Sequence, residues 1–414
     1  MQPTASEGND ARQRQPAYRW VVLAVAWFAL LMSFVDRLAW GNVAVVVGRS
    51  LSLPIVTLGV FVTAFYIGYV IANALGGVGS DRLGPRIMLA CSLIPLGLAT
   101  FLFSFTASVS WGLTFQALMG LSAGCDYSAC IKLMMSWFEQ RERGRAMGLL
   151  TTANSLGVVI PNAIVPTLMG SVGWQGIYQI LGTITAIGGV LVFLMLGRKP
   201  PLIAAQSKKS VGWTEMRDLF TDRNLVLLAI AGFWAMWGTW GFTFWANALM
   251  VRGHHLSAVE AGVIVSFFGI GAVISKPLVG LLSDWLGGDK KKPLVILCFA
   301  GFAASLLVFG LMGSASQFRI VAPFLGVFAF VYTPLMAALI GEAAGVARSG
   351  AATGLTNAIW QLGSVIVPSA VGLLYQLTDS FYAAFIALAV GPMLAGLCML
   401  LVREAAAAPD KKPA

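Results

Sequence analysis

Long apolar runs alternate with short polar stretches from Trp20 to Val402. A helix needs about 20 apolar residues to cross a bilayer, and the runs meet that length. The two-residue alternation of a membrane barrel is absent. The pattern predicts helices over residues 20–46, 53–77, 86–106, 109–137, 146–169 and 174–196. Six more are predicted over 224–250, 257–283, 292–313, 318–341, 350–377 and 380–402. We number these segments 1 to 12. The chain therefore divides into a polar tail, 1–19, and an N-terminal six-helix bundle, 20–196. A basic central loop, 197–223, leads to a C-terminal six-helix bundle, 224–402, and a second tail, 403–414.

Composition agrees with this reading. Of 414 residues, 58% are hydrophobic and 11% charged, whereas a soluble domain carries about 25% charged residues. The predicted class is an all-α membrane protein with 12 transmembrane helices in two pseudo-symmetric bundles. The net charge of +10 could suggest nucleic acid, but its distribution points to topology. With both termini cytoplasmic, inner segments hold 21 of the 27 Lys and Arg, and outer loops hold only Arg49, Arg252 and Arg319. That bias is the positive-inside rule. No nucleic-acid partner is expected.

The polar start has no cleavage site, so no signal peptide is expected. The expected location is a multi-pass span of a bacterial inner membrane, as a monomer in the lipid bilayer. Five cysteines lie inside apolar runs without metal spacing, and small packing residues are the simplest reading. No phosphate-cradling G-x4-G-K-[ST] loop is present. Neither a metal nor a cofactor is expected, and nothing suggests an enzyme.

One polar stretch organises the rest. Gly77-Val78-Gly79-Ser80-Asp81-Arg82-Leu83-Gly84-Pro85-Arg86 joins segments 2 and 3. A partial copy, Gly280 to Gly287 with Asp284, follows 203 residues later. A second repeat sets Gly148 and Gly157 against Gly354 and Gly363, 206 residues on. Six helices, a basic loop and six matching helices describe a transporter of parallel repeats, with its site between them near the midplane.

The paired loops and the 6+6 layout resemble the major facilitator superfamily over essentially the whole chain. Phe34-Val35-Asp36-Arg37, and Trp137-Phe138 running on to Ala146, resemble signatures of its anion:cation symporters. Ser275-Lys276-Pro277, eight residues before Asp284, resembles the substrate-binding Arg-Pro of monocarboxylate and oxalate:formate transporters, with Lys for Arg. The resemblance implies that Gly77, Asp81, Arg82, Gly84, Arg86 and Asp284 form a conformational gate on the cytoplasmic side. Charges at helix ends can favour one of two rocking positions.

Five charges lie inside segments: Asp36, Arg37, Asp126, Lys132 and Lys276. Each costs about 2.5–3.5 kcal/mol on insertion scales and is a functional candidate. Arg37 suits two-pronged contact with a carboxylate, and Lys276 supplies a point charge. Asn73 is the repeat mate of Lys276. Asp36 and Asp126 are candidates for proton coupling, since a buried acid can change protonation as substrate comes and goes. Lys132 is expected to snorkel towards the cytoplasmic surface.

Segment 7 is rich in aromatics, and Trp234, Trp237 and Phe244 can share a face towards the cavity. Tyr66, Tyr127, Tyr332, Asn357, Trp360 and Gln361 are further cavity candidates. The expected function is a secondary transporter importing a small organic anion, a carboxylate such as a monocarboxylate, with protons. An anion exchanger or facilitator, and drug efflux, are the alternatives.

Overall fold

A computed structural model describes residues 5–138, 143–197, 221–285, 291–344 and 349–403. They form helices throughout, with no strand among the described residues. The helices are α1 (Ala5–Ser50), α2 (Ile55–Leu83), α3 (Pro85–Phe103), α4 (Val109–Ala123), α5 (Asp126–Trp137) and α6 (Arg143–Met195). The second half holds α7 (Arg223–Gly253), α8 (Ala258–Trp285), α9 (Lys291–Leu311), α10 (Ala315–Ala344), α11 (Ser349–Thr378) and α12 (Phe381–Leu401). Ten of them are long and apolar enough to cross a membrane.

Three departures from the predicted boundaries have local causes. The tail expected over 1–19 is helical from Ala5 onwards, continuous with α1. Segment 4 is broken into α4 and α5, with Gly124 at the end of α4. A Cβ at Gly124 would stand 2.4 Å from the Tyr69 carbonyl oxygen, so the break marks a close approach of α2. Segments 5 and 6 run together as α6, bent at Gly173 with φ 66° and ψ 174°. That backbone region is open essentially to glycine alone. We call the parts of α6 before and after Gly173 its first and second limbs.

Helix starts follow capping rules. The Asp222 side chain accepts from the amides of Asn224 and Leu225, and those of Ser108 and Ser380 cap α4 and α12. Gly84, at φ 84°, turns the chain from α2 into α3, and Pro85 then opens α3.

The halves repeat one packing scheme. In the first, α2 lies on α4, and α1 and α3 lie on α6; in the second, α8 lies on α10, α7 on α11, and α9 on α12. Glycines set the closest crossings. A Cβ at Gly120 would stand 1.8 Å from the Phe65 carbonyl oxygen, and one at Gly326 would stand 1.9 Å from that of Phe268. Phe268 follows Phe65 by 203 residues and Gly326 follows Gly120 by 206, the same offsets that relate the loop motifs. A terminal clasp repeats as well. The Gly197 amide donates to the Tyr18 hydroxyl at 2.7 Å, and the Arg403 amide donates to Asn224 Oδ1 at 3.0 Å.

Between the halves, α2 packs on α11, the first limb of α6 on α8, and α1 on α7. Thr63 Oγ1 bonds the Val365 carbonyl and Ser369 Oγ, each at 2.8 Å, and Ser266 Oγ reaches the Val159 carbonyl at 3.3 Å. These contacts lie at the end of the bundle opposite the Gly84 turn.

Overpacking a tight crossing costs about 1–3 kcal/mol. Gly120→Val is expected to lower the melting temperature in detergent by several degrees. Gly148→Ala, where a Cβ meets nothing within 4 Å, is expected to cause no loss. Thermal unfolding followed by tryptophan emission checks both.

Candidate substrate site

Arg37 is the centre of the site. It lies past the middle of α1 and is 4% exposed. Five rings surround its guanidinium. Tyr69 and Phe34 stand 4.2 and 4.6 Å from the central carbon, Phe65 and Tyr66 5.4 and 5.8 Å, and Trp240 5.9 Å. Four of the rings come from the first half, and Trp240 comes from α7 in the second. Phe34 and Arg37 are three apart on α1, and Tyr66 and Tyr69 three apart on α2, so each pair shares a helix face. Trp240 stacks on Phe244 at 5.7 Å, and both meet the Tyr66 ring.

The cage offers attraction to the cation, and the Tyr66 and Tyr69 hydroxyls make polar contact with it, but two nitrogens lack a well-formed hydrogen bond. Those two, Arg37 Nε and Nη2, are buried. Asp126, the first residue of α5, is 1% exposed and acts electrostatically on Arg37. Neither of its carboxylate oxygens has a well-formed hydrogen bond, although the Ser33 hydroxyl and the backbone amides of Asp126 and Tyr127 are in polar contact with the group. The two charges therefore attract each other across a gap, and neither is saturated. Two unpaired guanidinium nitrogens facing the seam between two halves can receive a carboxylate, sulfonate or phosphate.

The structure distributes the other expected residues unevenly. Tyr66 joins the cage, and its hydroxyl is buried without a well-formed hydrogen bond. Tyr127 lies beside Tyr69 and Asp126. Asn73 is one turn beyond Tyr69 on α2, half-buried, with its backbone nitrogen against Gly124. Gln361 of α11 is half-buried with Oε1 unpartnered, and Asn357 is one turn before it. Tyr332 turns into the interior of the second half, where its hydroxyl meets Thr239 Oγ1 at 3.1 Å and its ring packs on Phe299. Trp360 also turns inward, donating to the Leu228 carbonyl at 3.2 Å.

The expected aromatic face of α7 is corrected. Trp237 donates to the Ala387 carbonyl of α12 at 2.9 Å and pairs with Trp234, so both face α12. The residues that look into the site are Trp240 and Phe244. The spacing of four between them was the available signal.

Asp36 and Arg37 point to different sides of α1. Asp36 is fully buried, and Thr100 of α3 donates to its Oδ2 at 3.3 Å. Among the gate residues, Arg86 donates from Nε to the Phe193 carbonyl at 2.7 Å and lies 4.1 Å over the Phe193 ring. It thus fastens α3 to the end of α6 within one half. Arg82 is exposed. Lys132 reaches the Ser80 carbonyl in the same turn region at 2.6 Å. Gly77 is part of α2, and the side chains of Asp81, Lys276 and Asp284 lie outside what the structure describes.

Three asparagines that the sequence reading passed over close the seam above the cage. Asn247 Nδ2 of α7 donates to Asn42 Oδ1 of α1 at 3.1 Å and to Asn162 Oδ1 of α6 at 2.7 Å. Each is at most 8% exposed. On the other side of this seal is a vestibule of about 380 Å³, lined by Arg49, His255 and Ser257 as well as Asn42 and Asn247. Amides inside otherwise apolar runs were the sequence signal for this triad.

The profile of the Major Facilitator Superfamily matches residues 25–368 and, in a second match, 253–414. The chain belongs to the major facilitator superfamily. As a member it is a multi-pass membrane transport protein and not an enzyme.

Relatives of this superfamily protein include probable transporters of anions and a membrane sensor protein. It is 24% identical to the probable galactarate/D-glucarate transporter GudP of Bacillus subtilis, over 94% of this chain and 92% of the relative. It is 23% identical to the probable sulfoacetate transporter SauU of Cupriavidus necator, over 89% and 90%. It is 26% identical to the membrane sensor protein UhpC of Salmonella typhimurium, over 87% and 86%. Its fold is similar to a bacterial homolog of the human lysosomal transporter Spinster, solved in an inward-facing and occupied conformation. That match has a TM-score of 0.78 at 15% identity, covering 93% of this chain and 97% of the other.

The triad makes a prediction. Asn247→Ala removes two hydrogen bonds between the halves, each worth about 1 kcal/mol. Spin labels at positions 53 and 377, at the sealed end of α2 and α11, are expected to shift towards longer separations. Pulsed electron resonance checks this; an unchanged distance distribution contradicts a sealing role.

Proposed function

We propose that this protein is a secondary active transporter that takes up a small organic anion together with protons, by alternating access between its halves. The observation that carries this reading is the Arg37 guanidinium, buried at the seam with two nitrogens unpartnered. The anionic substrates named for GudP and SauU support it. In the proposed arrangement twelve helices cross a bacterial inner membrane, both termini are cytoplasmic, and the protein works as a monomer. The break at Gly124 and the bend at Gly173 fit twelve crossings, since α4 with α5 would make one and α6 would make two.

The substrate carboxylate docks on Arg37 with two parallel bonds. Tyr66, Tyr127, Asn73, Asn357 and Gln361 offer polar contacts, and Lys276 supplies a second cation from the other half. Tyr332, hydrogen-bonded inside the second half, is not used. Asp126 competes with the substrate for one guanidinium, so it takes up a proton as the anion arrives. Substrate held by both halves favours the occluded state, because a ligand shifts an equilibrium only by its differential affinity. The sealed asparagine end corresponds to an inward-facing state. The Asp81–Arg86 turn and Asp284 act as the opposing cytoplasmic gate.

Uptake by proteoliposomes tests the proposal, with labelled glucarate, sulfoacetate and lactate as probes. Arg37→Ala is expected to reduce uptake by about thirtyfold or more, in line with about 2–5 kcal/mol for truncating a buried charge contact. Arg37→Lys keeps the charge, loses the fork, and is expected to retain only partial uptake. Undiminished uptake in Arg37→Ala at equal protein content contradicts the proposal. Exchange of labelled for unlabelled anion without proton movement would favour an exchanger.

A further inference from the structure

Asp36 sits in a polar cluster that the substrate cage does not share. Thr100 of α3 bonds its Oδ2, and Thr185 and Tyr178 of the second limb of α6 lie beside it. Gln116 of α4 lies beside Tyr178. Five polar atoms here are buried without a well-formed hydrogen bond: Asp36 Oδ1, Thr185 Oγ1, Tyr178 OH, Gln116 Nε2 and Thr106 Oγ1, although Thr185 makes a polar contact with Asp36 and Gln116 with Tyr178. Their residues are at most 6% exposed.

Each such atom costs about 1–3 kcal/mol if it stays unpaired. The Asp36–Thr185 and Tyr178–Gln116 contacts relieve part of that cost, and small polar guests bridging the remaining positions relieve the rest. The cluster also has a direction. Thr106 is in the turn between α3 and α4, at the sealed end of the bundle, and its methyl lies against Gly112, one helical turn from Gln116. Gln116 leads to Tyr178, and Tyr178 to Asp36. On the α2 side this line is walled by the stacked rings of Trp40 and Phe61, 4.9 Å apart, with Phe103 against both Phe61 and Tyr178. The vestibule above Asn247 opens between α1 and α7, elsewhere on the molecule.

We infer that this line is a hydrated proton path to Asp36, separate from the substrate route, with Tyr178 and Gln116 as its positioning residues. The Tyr178 hydroxyl gives its proton towards Asp36 and accepts one from the next water, so it ends in the state in which it began. Gln116 carries no proton and orients the water beside it. Asp36 alone gains or loses net charge. The inference deepens the proton-coupled reading and rests on it for its purpose, but its test needs no substrate.

The test follows the Asp36 carboxyl in purified protein by infrared difference spectroscopy after a pH jump. The band is identified by its loss in Asp36→Asn. Tyr178→Phe and Gln116→Leu are expected to slow its appearance tenfold or more with little change in melting temperature. Gly148→Ala, remote from the cluster and in open space, is expected to leave the rate within about twofold. Wild-type rates in both Tyr178→Phe and Gln116→Leu overturn the path. So does the absence of any Asp36 band, or a band that responds to sodium at fixed pH, which would make the cluster a cation site. Failure of anion uptake in proteoliposomes would overturn the transport reading while leaving this spectroscopic result standing.

Discussion

A guanidinium buried among aromatic rings, with nitrogens left unpaired, is the constraint around which the molecule is arranged. Desolvating a charge costs several kcal/mol. A ring face returns about 2 kcal/mol or more when desolvated, but five rings around one cation share the same charge. They cannot replace hydrogen bonds in the plane of the fork. Asp126 is close enough to lower the cost through space but forms no bond with it. The site thus holds a cation that is stable enough to fold and under-coordinated enough to prefer an added anion. That balance distinguishes a binding site from a structural ion pair.

The rest of the fold brings such a cation to a movable seam. Glycine crossings at Gly120 and Gly326 hold each half rigid by close backbone approach. The seam combines close crossings of Gly59 on Pro368 and of Gly262 on Asn162 with a few individually weak hydrogen bonds from Thr63, Ser266 and Asn247. Rigid halves joined by a breakable seal are what rocking motion requires. Trp240 contributes to the cage from the second half, so any rocking changes the surroundings of Arg37 directly.

Much of this was legible in the sequence because it depends on spacing. Apolar length marked the helices, and the offsets of 203 and 206 read from loop motifs recur in the packing of Phe65 on Gly120 and of Phe268 on Gly326. Arg37 stood out because a charge in an apolar run is costly. The less legible features depend on rotation and tilt. The sequence could not tell which stripe of tryptophans on α7 faces the seam, and Trp237 bonds α12 while Trp240 covers Arg37. Tyr332 shared the composition of a cavity residue yet bonds Thr239 inside its own half. Asp36 and Arg37 are neighbours in sequence, but the helical turn sends one to Thr100 of α3 and the other into the aromatic cage. The asparagine seal comes from three distant segments, and no local pattern joins them.

Ligand-induced thermal stabilisation tests the central claim most directly, because a ligand that binds only the folded state raises its apparent stability. Carboxylates, sulfonates and phosphates would be compared with the neutral amide or alcohol of the same skeleton, in wild-type protein and in Arg37→Gln. The account predicts stabilisation by one or more anions, none by their neutral counterparts, and loss of the effect in Arg37→Gln. Stabilisation by neutral or cationic compounds, or by an anion undiminished in Arg37→Gln, would contradict it.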